Sequence, residues 1–362
     1  IKTDGGEVTS FISHCGGLVA DESDDNPWHY KISWNPRNVV MAGKSGALYL
    51  DNNETKQLEY EQLFSEKRYV SIPDYKELSW YPNRNSLTYI RTYKLDHCHT
   101  FIRTTLRHPD FVYGWKNIIL LKLTDEEKRY QTDGKSLMLF FKEHLEHHHL
   151  QGWLQEQMYH KLSSTKNLLE DLVTLVTMEG EVKDKVEKGA NDFMIINKKG
   201  DLKNIDVDTI KTEASVTVAN QIHEATTTIK QLLYLGLMDD KTKVNKGLCS
   251  AADVLQFALE KKLSLRETDM DLVVMMHDID YIKEGRKYKM KSTLLLKGEN
   301  NEETAMAKTV GLPLGLAATL ILNGVIKSKG LQIPIHKEIY EPILNELEKH
   351  GIHFKEEEIE IE

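Results

Sequence analysis

Strand-like segments lie at both ends of the chain, with a long helical stretch between them. The segments EVTSFISHC (7–15) and HTFIRTTLRH (99–108) are rich in β-branched and aromatic residues with partial alternation, which is typical of strands. Late in the chain, LVVMMHDIDYI, KEGR and KYKMKSTLLLK (272–297) predict a β-hairpin. Because strands bury their apolar faces in sheets, we expect the strands of both ends to share one sheet.

The middle of the chain carries apolar residues near helical spacing. The helical segments are residues 133–162, 164–178, 220–238 and 250–263. Residues 180–215 are polar and lysine-rich, which indicates an irregular insertion. We expect an α+β fold in which a mixed or antiparallel sheet domain, residues 1–118 and 266–303, is interrupted by a helical subdomain, residues 119–265.

An uncharged apolar stretch, TVGLPLGLAATLILNGVI, covers residues 309–326. It barely reaches the length of a membrane span and contains Pro313 and Asn323. A helix that is apolar all round needs cover on all sides, so we expect it to lie against a neighbouring domain. An amphipathic helix is predicted next, in residues 336–354, and we expect the last stretch, KEEEIEIE (355–362), to be a solvated end.

Charge and cysteine content argue against several classes of protein. The 362 residues include 56 Asp and Glu against 47 Lys and Arg, a net charge of −9, which argues against a nucleic-acid partner. Cys15, Cys98 and Cys249 lie far apart and form no CxxC pair, so neither a disulfide framework nor a zinc ribbon is indicated. We therefore expect a cytoplasmic protein with neither a nucleic-acid nor a membrane partner.

Known nucleotide-binding and metal-binding motifs find little support in the sequence. AGKSG (42–46) lacks the earlier glycine of a phosphate-binding loop, because Asn38 stands in its place, and no G-x-G-x-x-G occurs. His144, His147 and His148 share one face of a predicted helix and could approach one metal ion, but no carboxylate ligand pattern accompanies them. We expect a solvated helix face there and no metal site.

Three arginines suggest a ligand with several carboxylates. Arg103 and Arg107 lie on one predicted strand and face the same side, with Thr105 between them. Arg84 lies in YPNRNS (81–86), a turn that its proline makes rigid. Each guanidinium can offer a planar pair of donors to a carboxylate. Scattered surface arginines are the alternative interpretation.

Six motifs occur in an order that resembles one family. They are SHCGGL with DNPWHYKISWNPRNVV (13–18 and 25–40), YPNRNS (81–86), FIRTTLRH (101–108), DLVVMMH (271–277), TAMAKTVGLPLGLAATLILNG (304–324) and KEIYEPILNELEKHGI (337–352). The chain resembles the C-terminal two-thirds of the glutamate-forming saccharopine dehydrogenases, also called saccharopine reductases. The resemblance covers residues 1–118 and 222–362, whereas residues 125–221 match weakly.

The resemblance implies an oxidoreductase of lysine metabolism that uses NAD or NADP. The family transfers a hydride between saccharopine, which carries three carboxylates, and a nicotinamide, and forms L-glutamate and 2-aminoadipate 6-semialdehyde. It also implies a homodimer and a fold like that of glyceraldehyde-3-phosphate dehydrogenase, whose sheet domain binds substrate and mediates dimerisation. A bifunctional aminoadipic semialdehyde synthase is the other source of such a portion, and it would imply the mitochondrial matrix.

The family also has an N-terminal Rossmann domain, and its nucleotide-binding glycines are not among these 362 residues. Residues 304–362 are then expected to dock on that domain. The catalytic residues are expected in it as well, so the resemblance implies that this chain alone is inactive.

Family residues can be carried over to the matching positions. The family's saccharopine-binding arginine falls on Arg84, its backbone contacts to substrate fall on TTL (104–106), and its segment near the cofactor falls on ISW (32–34). Expected substrate-binding residues are Arg84, Arg103, Thr104, Thr105, Leu106 and Arg107, and expected cofactor-binding residues are Ser33 and Trp34.

The chain departs from the family at three positions. Asn85 stands where the family has an aspartate, Glu303 where it has an aromatic residue, and Thr104 where it has a glycine. Threonine adds bulk beside the expected ligand.

Two alternative functions stay open. A carboxynorspermidine or homospermidine synthase on this fold would need acidic pocket walls, and the arginines argue against it. A non-catalytic binding or assembly module is compatible with Thr104 and Glu303.

Overall fold

The computed structural model describes residues 1–153, 155–156, 163, 166, 192–196 and 202–361. The chain forms two compact units. The first consists of residues 1–137 and 241–362, and the second of residues 138–240.

Fourteen strands are described, and ten of them form one sheet in the first unit. The strands are β1 (Glu7–Val19), β2 (Ala47–Asp51), β3 (Glu54–Leu58), β4 (Tyr69–Ser71), β5 (Glu77–Pro82), β6 (Arg84–Asn85), β7 (Thr100–Arg107), β8 (Tyr130–Gln131), β9 (Asp192–Ile196), β10 (Leu202–Asp206), β11 (Leu248–Cys249), β12 (Asp271–Lys283), β13 (Arg286–Lys297) and β14 (Lys355–Ile361). The sheet order is β14-β13-β12-β1-β7-β2-β3, with β5 also on β7, β4 on β5 and β6 on β2. β8 pairs with β11, and β9 with β10.

The sheet is mixed, as the sequence predicts, and it joins strands from both ends of the chain. β1 pairs parallel with β7 and antiparallel with β12, so β1 and β7 lie inside the sheet. The predicted hairpin is β12–β13, which closes with Lys283 opposite Arg286. Its two turn residues, Glu284 and Gly285, both have positive φ, as a tight hairpin turn with the right-handed strand twist requires.

Eight α-helices are described, and together with the sheet they confirm the α+β class. They are α1 (Pro36–Val40), α2 (Leu87–Thr92), α3 (Pro109–Leu120), α4 (Leu137–His147), α5 (Val207–Tyr234), α6 (Ala251–Lys262), α7 (Ala305–Leu322) and α8 (Lys337–Lys349). Local chemistry explains several of the starts. α3 begins with Pro109 at its first position, and Ser250 with Asp253 forms a capping box at the start of α6.

Apolar clusters form on both faces of the sheet. One packs Leu18, Leu78, Leu106 and Val274 together, from four neighbouring strands. A second cluster lies around Phe101 and Tyr281, and a third joins Leu294 of β13 to α7 and α8. Burial of such side chains is the main favourable contribution to folding, and it holds β7 in the middle of the structure.

The C-terminal segment is exposed along almost its whole length, which confirms the predicted solvated end, but it also forms an edge strand that the sequence analysis did not predict. β14 pairs antiparallel with β13 along its length. Glu357 lies opposite Lys291, and Glu360 forms an ion pair with Arg286 at 3.6 Å. Opposite charges on paired strands stabilise the pairing, and the acidic composition of the segment does not reveal which strand will face it.

In the second unit, α4 carries the histidine cluster of the sequence. His144 is buried, and its ring centroid lies 5.6 Å from that of Phe140. The predicted solvated face is therefore wrong at this position, because His144 follows Phe140 by one helical turn on an apolar face. The predicted helix 164–178 and the insertion 180–215 fall largely outside the described residues; of the insertion, β9, β10 and the start of α5 are described.

The apolar helix α7 is fixed at its start and exposed along much of its length. Leu312 and Leu316 pack against the third cluster, whereas Leu314 is 74% exposed and Leu322 is 86% exposed. By length and composition α7 could cross a membrane, but one such helix is weak support for a membrane protein. Cover by a neighbouring domain remains a prediction.

Asp271 holds the start of α7. Its Oδ1 and Oδ2 accept the backbone N–H groups of Ala305 and Met306 at 2.6 and 3.0 Å, and its side chain is fully buried. Thr304 adds a third bond, from the N–H of Ala307 at 2.9 Å. Gly298 leaves room for this arrangement, since a Cβ there would lie 2.7 Å from the Ala305 nitrogen.

Asp271→Ala should lower the free energy of unfolding by about 2 kcal/mol, because two helical N–H groups lose a charged acceptor. Denaturant unfolding measures the loss, and amide hydrogen exchange should show the first turn of α7 opening faster than the rest of the unit. Thr304→Ala is the control for an ordinary cap and should cost about 1 kcal/mol. Equal losses in the two variants would contradict the special role of Asp271.

Candidate functional site

Strand β7 separates two sets of side chains onto opposite faces of the sheet. Arg103, Thr105 and Arg107 are half-buried and share one face, called the arginine face below. Thr104 and Leu106 are buried on the other. The structure therefore brings the two predicted strand arginines together on one side, as the alternation in the sequence predicts.

Arg107 is held by backbone and aromatic groups, not by an acid. Its Nη1 donates to the carbonyl of Leu106 at 2.8 Å and, more weakly, to that of Gly17 at 3.4 Å. Its guanidinium carbon lies 5.1 Å from the ring centroid of Tyr30 and 5.5 Å from that of Phe111. The buried Nε has no hydrogen-bond partner. A guanidinium in this setting is oriented and keeps donors available for a ligand.

Arg103 is held in a similar way. Its guanidinium carbon lies 4.1 Å from the ring centroid of Tyr89 on α2, and its backbone N–H donates to Oγ of Ser86 at 3.1 Å. Among the described residues its side chain has no carboxylate partner. The cation is positioned by stacking and keeps its hydrogen-bond donors free.

The turn that carries Arg84 is tied to two strands. The N–H of Asn83 donates to the carbonyl of Arg103 at 2.8 Å, and the N–H of Ser86 donates to the carbonyl of Leu48 at 2.7 Å. Arg84 itself has a φ of 54°, a left-handed conformation that is uncommon outside glycine, and its side chain is exposed. These hydrogen bonds thus fix the backbone of Arg84 beside β7, and its exposed guanidinium extends from that fixed backbone.

Unpaired arginines are concentrated at this site. Five other arginines form ion pairs with carboxylates: Arg37, Arg68, Arg129, Arg266 and Arg286. Within the described part of the chain, Arg84, Arg91, Arg103 and Arg107 form none, and three of these four are the residues singled out from the sequence. Because these three arginines lack carboxylate partners in the described part of the chain, they are suited to bind the carboxylates of a ligand.

Thr104 lies away from the arginine face. Its Oγ1 is 2.7 Å from Nδ1 of His14, to which it is opposite in the parallel β1–β7 register. Its bulk therefore fills the sheet interior on the His14 side. The pairing explains locally how threonine fits at this position, and sequence reasoning missed His14 because only the strand register brings the two residues together.

Burial lowers the pKa of His14 to about 4, with smaller contributions from His277 and Lys291. Its ring also meets Trp80 edge to face, with centroids 5.7 Å apart. His14 is therefore a neutral acceptor or donor for Thr104 at neutral pH. His14 therefore packs on the face of β7 that is opposite to the arginine face.

Of the two residues predicted near the cofactor, Ser33 lies close to the arginine face. A Cβ on Gly17 would lie 3.8 Å from Oγ of Ser33 and 2.6 Å from Cε of Met306, so a larger residue there would displace the end of the Met306 side chain at the start of α7. Arg107 reaches the carbonyl of the same Gly17. Trp34 is 47% exposed. The structure thus groups Ser33, Gly17 and Arg107, with Trp34 at the edge.

Comparison with known proteins gives consistent matches. The model of the family described as the saccharopine dehydrogenase C-terminal domain matches residues 1–352. The saccharopine dehydrogenase (NADP(+), L-glutamate-forming) of Schizosaccharomyces pombe is 28% identical over 360 residues, which cover 99% of this chain and 68% of that protein. The mitochondrial alpha-aminoadipic semialdehyde synthase of Bos taurus is 30% identical over 357 residues, covering 97% of this chain and 32% of that protein.

A solved structure also matches. It is described as apo histidine-tagged saccharopine dehydrogenase (L-Glu forming) from Saccharomyces cerevisiae. The TM-score is 0.69 at 25% sequence identity, and the match covers 99% of this chain and 69% of that one. Sequence and structure comparisons therefore agree over nearly the whole chain.

Proposed function

The chain belongs to the saccharopine dehydrogenase C-terminal domain family, and on that premise we propose that it binds saccharopine as the substrate-binding part of a saccharopine dehydrogenase. The reaction would oxidise saccharopine with NAD or NADP to L-glutamate and 2-aminoadipate 6-semialdehyde, or run in reverse. Relatives named for this reaction use NADP, which favours NADP here.

The observation that carries this proposal is the set of three guanidiniums that have no acid partner in the described part of the chain. Saccharopine has three carboxylates, and the guanidiniums of Arg84, Arg103 and Arg107 can each donate two hydrogen bonds to one of them. Arg107 and Arg103 are already oriented by aromatic rings, so binding would cost little side-chain entropy. Thr105 places a hydroxyl between them on the same face. A polyamine substrate would instead meet cations, which argues against the polyamine-forming alternative.

Backbone contacts from Thr104, Thr105 and Leu106 to the substrate stay a prediction. β7 has β5 on one side and β1 on the other at Thr104 and Thr105, so the ladders share these backbone groups. Leu106 lies beyond the last described β1 pair, and its carbonyl accepts from Arg107. We therefore assign the main contribution to side chains on the arginine face.

The described residues do not supply a complete nucleotide site of the Rossmann type. The G-x-G-x-x-G turn is absent from the 362 residues, and Trp34 offers only an exposed indole beside Ser33. A bound nicotinamide would accept or donate the hydride. We propose that a nucleotide-binding domain supplies it, that this domain covers the apolar face of α7, and that turnover needs it. We also propose that the protein forms a homodimer. Its proposed location is the cytoplasm, or the mitochondrial matrix if it is part of a bifunctional enzyme.

Isothermal titration of the full chain with saccharopine tests the proposed ligand. We expect saccharopine to bind at least about tenfold more tightly than L-glutamate or L-lysine, because each of these lacks carboxylates that the three arginines would engage. High salt should weaken the difference, since exposed charge pairs are screened. Equal affinities for the three amino acids, or no heat with any of them, would exclude this ligand.

A further inference from the structure

A second cluster of chemically active side chains lies where the segment after β1 meets the junction of β7 and α3. It consists of His29, His108 and Asp110, whose candidate ligand atoms all lie within 4.8 Å of one another. None of the three contributes to the arginine face as described above. His29 is far from the others in sequence, so residue spacing gives no sign of the cluster.

Two carboxylates fix the orientation of His29. Its Nδ1 lies 2.6 Å from Oδ2 of Asp24, and its Nε2 lies 3.4 Å from Oδ2 of Asp110. A carboxylate on Nδ1 is how metal-binding histidines are commonly held. Nε2 faces the second acid, so an ion bound between Nε2 and Oδ2 would replace the proton that these two groups share. With bonds of about 2.0–2.1 Å to each atom, one ion between Nε2 and Oδ2 would subtend about 110°, the tetrahedral angle.

His108 is the third candidate ligand, with its ligand atom within 4.8 Å of the other two. Its ring stacks on that of His29 with centroids 3.9 Å apart and planes 28° from parallel, so one ring must turn before both direct a nitrogen lone pair at the same ion. His108 is the N-cap of α3, and its Nδ1 accepts the backbone N–H of Asp110 at 3.2 Å. Because the Nδ1 lone pair accepts this N–H, an ion bound at Nδ1 would take the place of the cap bond.

The backbone around His29 holds it in an unusual conformation. Its φ is 48°, which costs energy for a residue with a side chain. Asn26 compensates by accepting the N–H of Trp28 at 3.0 Å and donating to the carbonyl of Tyr30 at 3.1 Å. Trp28 and Tyr30 are both buried. Strain that neighbouring packing maintains at a polar cluster is typical of a binding site.

We propose that His29, His108 and Asp110 bind one divalent transition-metal ion of the zinc type, with Asp24 orienting His29 and a fourth position open to water. Two imidazoles and one carboxylate are a ligand set that suits Zn²⁺. Tyr30 and Phe111 are adjacent in sequence to two of the ligands, and their rings stack on Arg107. The ion would therefore restrict the motion of the two aromatic residues that orient Arg107. Metal binding itself does not depend on the proposed substrate.

Cobalt titration of the full chain, first stripped with a chelator, tests the site. We expect one Co²⁺ per chain with the visible bands of a four-coordinate ion, displaced by an equimolar amount of Zn²⁺. His29→Gln and Asp110→Asn should each weaken the affinity by more than about 100-fold, because each removes a ligand. Asp24→Asn keeps all three ligands and should weaken it by about 10–100-fold through loss of orientation.

The double variant His147→Gln and His148→Gln is the matched control, because these two neighbouring histidines, at the end of α4 and directly after it, are not among the proposed ligands. It should bind Co²⁺ as the unaltered chain does. The proposal is overturned if the unaltered chain gives no four-coordinate spectrum, because His29 would then only share a proton with the two aspartates. It is also overturned if the spectrum disappears in the α4 variant and persists unchanged in His29→Gln or Asp110→Asn.

Discussion

Arg107→Ala should weaken saccharopine binding by about 2–4 kcal/mol, the range for a charge-assisted contact in a partly desolvated site. Arg107 is the best prepared of the three cations, since two aromatic rings and two backbone carbonyls already orient it. Its only described hydrogen bonds go to backbone carbonyls, through Nη1, so its positive charge has no acid partner in the described part of the chain. Isothermal titration of the variant gives the change in Kd directly.

Two further substitutions extend the test. Arg107→Lys separates the effect of the planar donors from that of the positive charge, and Arg84→Ala tests a second arginine. Arg107→Lys keeps the charge but loses the planar pair of donors and the stacking, so we expect it to recover less than half of the loss. Arg84→Ala should also weaken binding, by about 2 kcal/mol, because its turn is fixed to β7 although its side chain is exposed. A change below about 0.5 kcal/mol would assign Arg84 to the solvated loop residues.

Arg91→Ala is the matched control. Arg91 is exposed on α2 and also lacks an ion pair among the described residues, but it was not singled out by strand alternation or by resemblance. Its removal subtracts one positive charge from the same region, so it measures the general electrostatic effect. If Arg91→Ala weakens binding as much as Arg107→Ala, the arginine face acts only through its net charge, and specific recognition by Arg107 is wrong.

Features set by local pattern could be predicted from the sequence. The period-two alternation in FIRTTLRH places Arg103, Thr105 and Arg107 on one face of a strand, and β7 has that geometry. Alternating residues around KEGR predict the β12–β13 hairpin, because Glu284 and Gly285 can adopt its turn. In both cases the determining interactions lie within a few residues of one another.

Features set by long-range pairing could not be predicted in this way. His14 meets Thr104 only because β1 runs parallel to β7 in one register, and a shift by one residue would place His14 on the other face. Asp271 caps α7 from the start of another strand. The approach of His29 to Asp110 likewise depends on how a loop packs on a helix start. Sequence spacing contains none of these distances.

The buried pair of His14 and Thr104 should make folding strongly dependent on pH. Burial lowers the pKa of His14 to about 4 from its ordinary value of 6.5. Above pH 6.5 both the folded and the unfolded chain hold it neutral, so its contribution to stability is fully present. As the pH falls from 6.5 to about 4, the unfolded chain takes up a proton that the folded chain excludes. The free energy of unfolding should therefore fall by about 3 kcal/mol from this residue alone.

His14→Asn isolates that contribution, because an amide can still bond Thr104 but does not titrate. Denaturant unfolding of both proteins at pH 7 and pH 4, followed by tryptophan fluorescence, gives the two losses of stability. His277 also has a lowered pKa from burial, and this burial effect is common to both proteins, so the comparison isolates His14 together with its interaction with His277. The loss between the two pH values should be about 3 kcal/mol smaller in His14→Asn. Equal losses would mean that the folded chain accommodates a protonated His14, and that the Thr104 contact tolerates a charge inside the sheet.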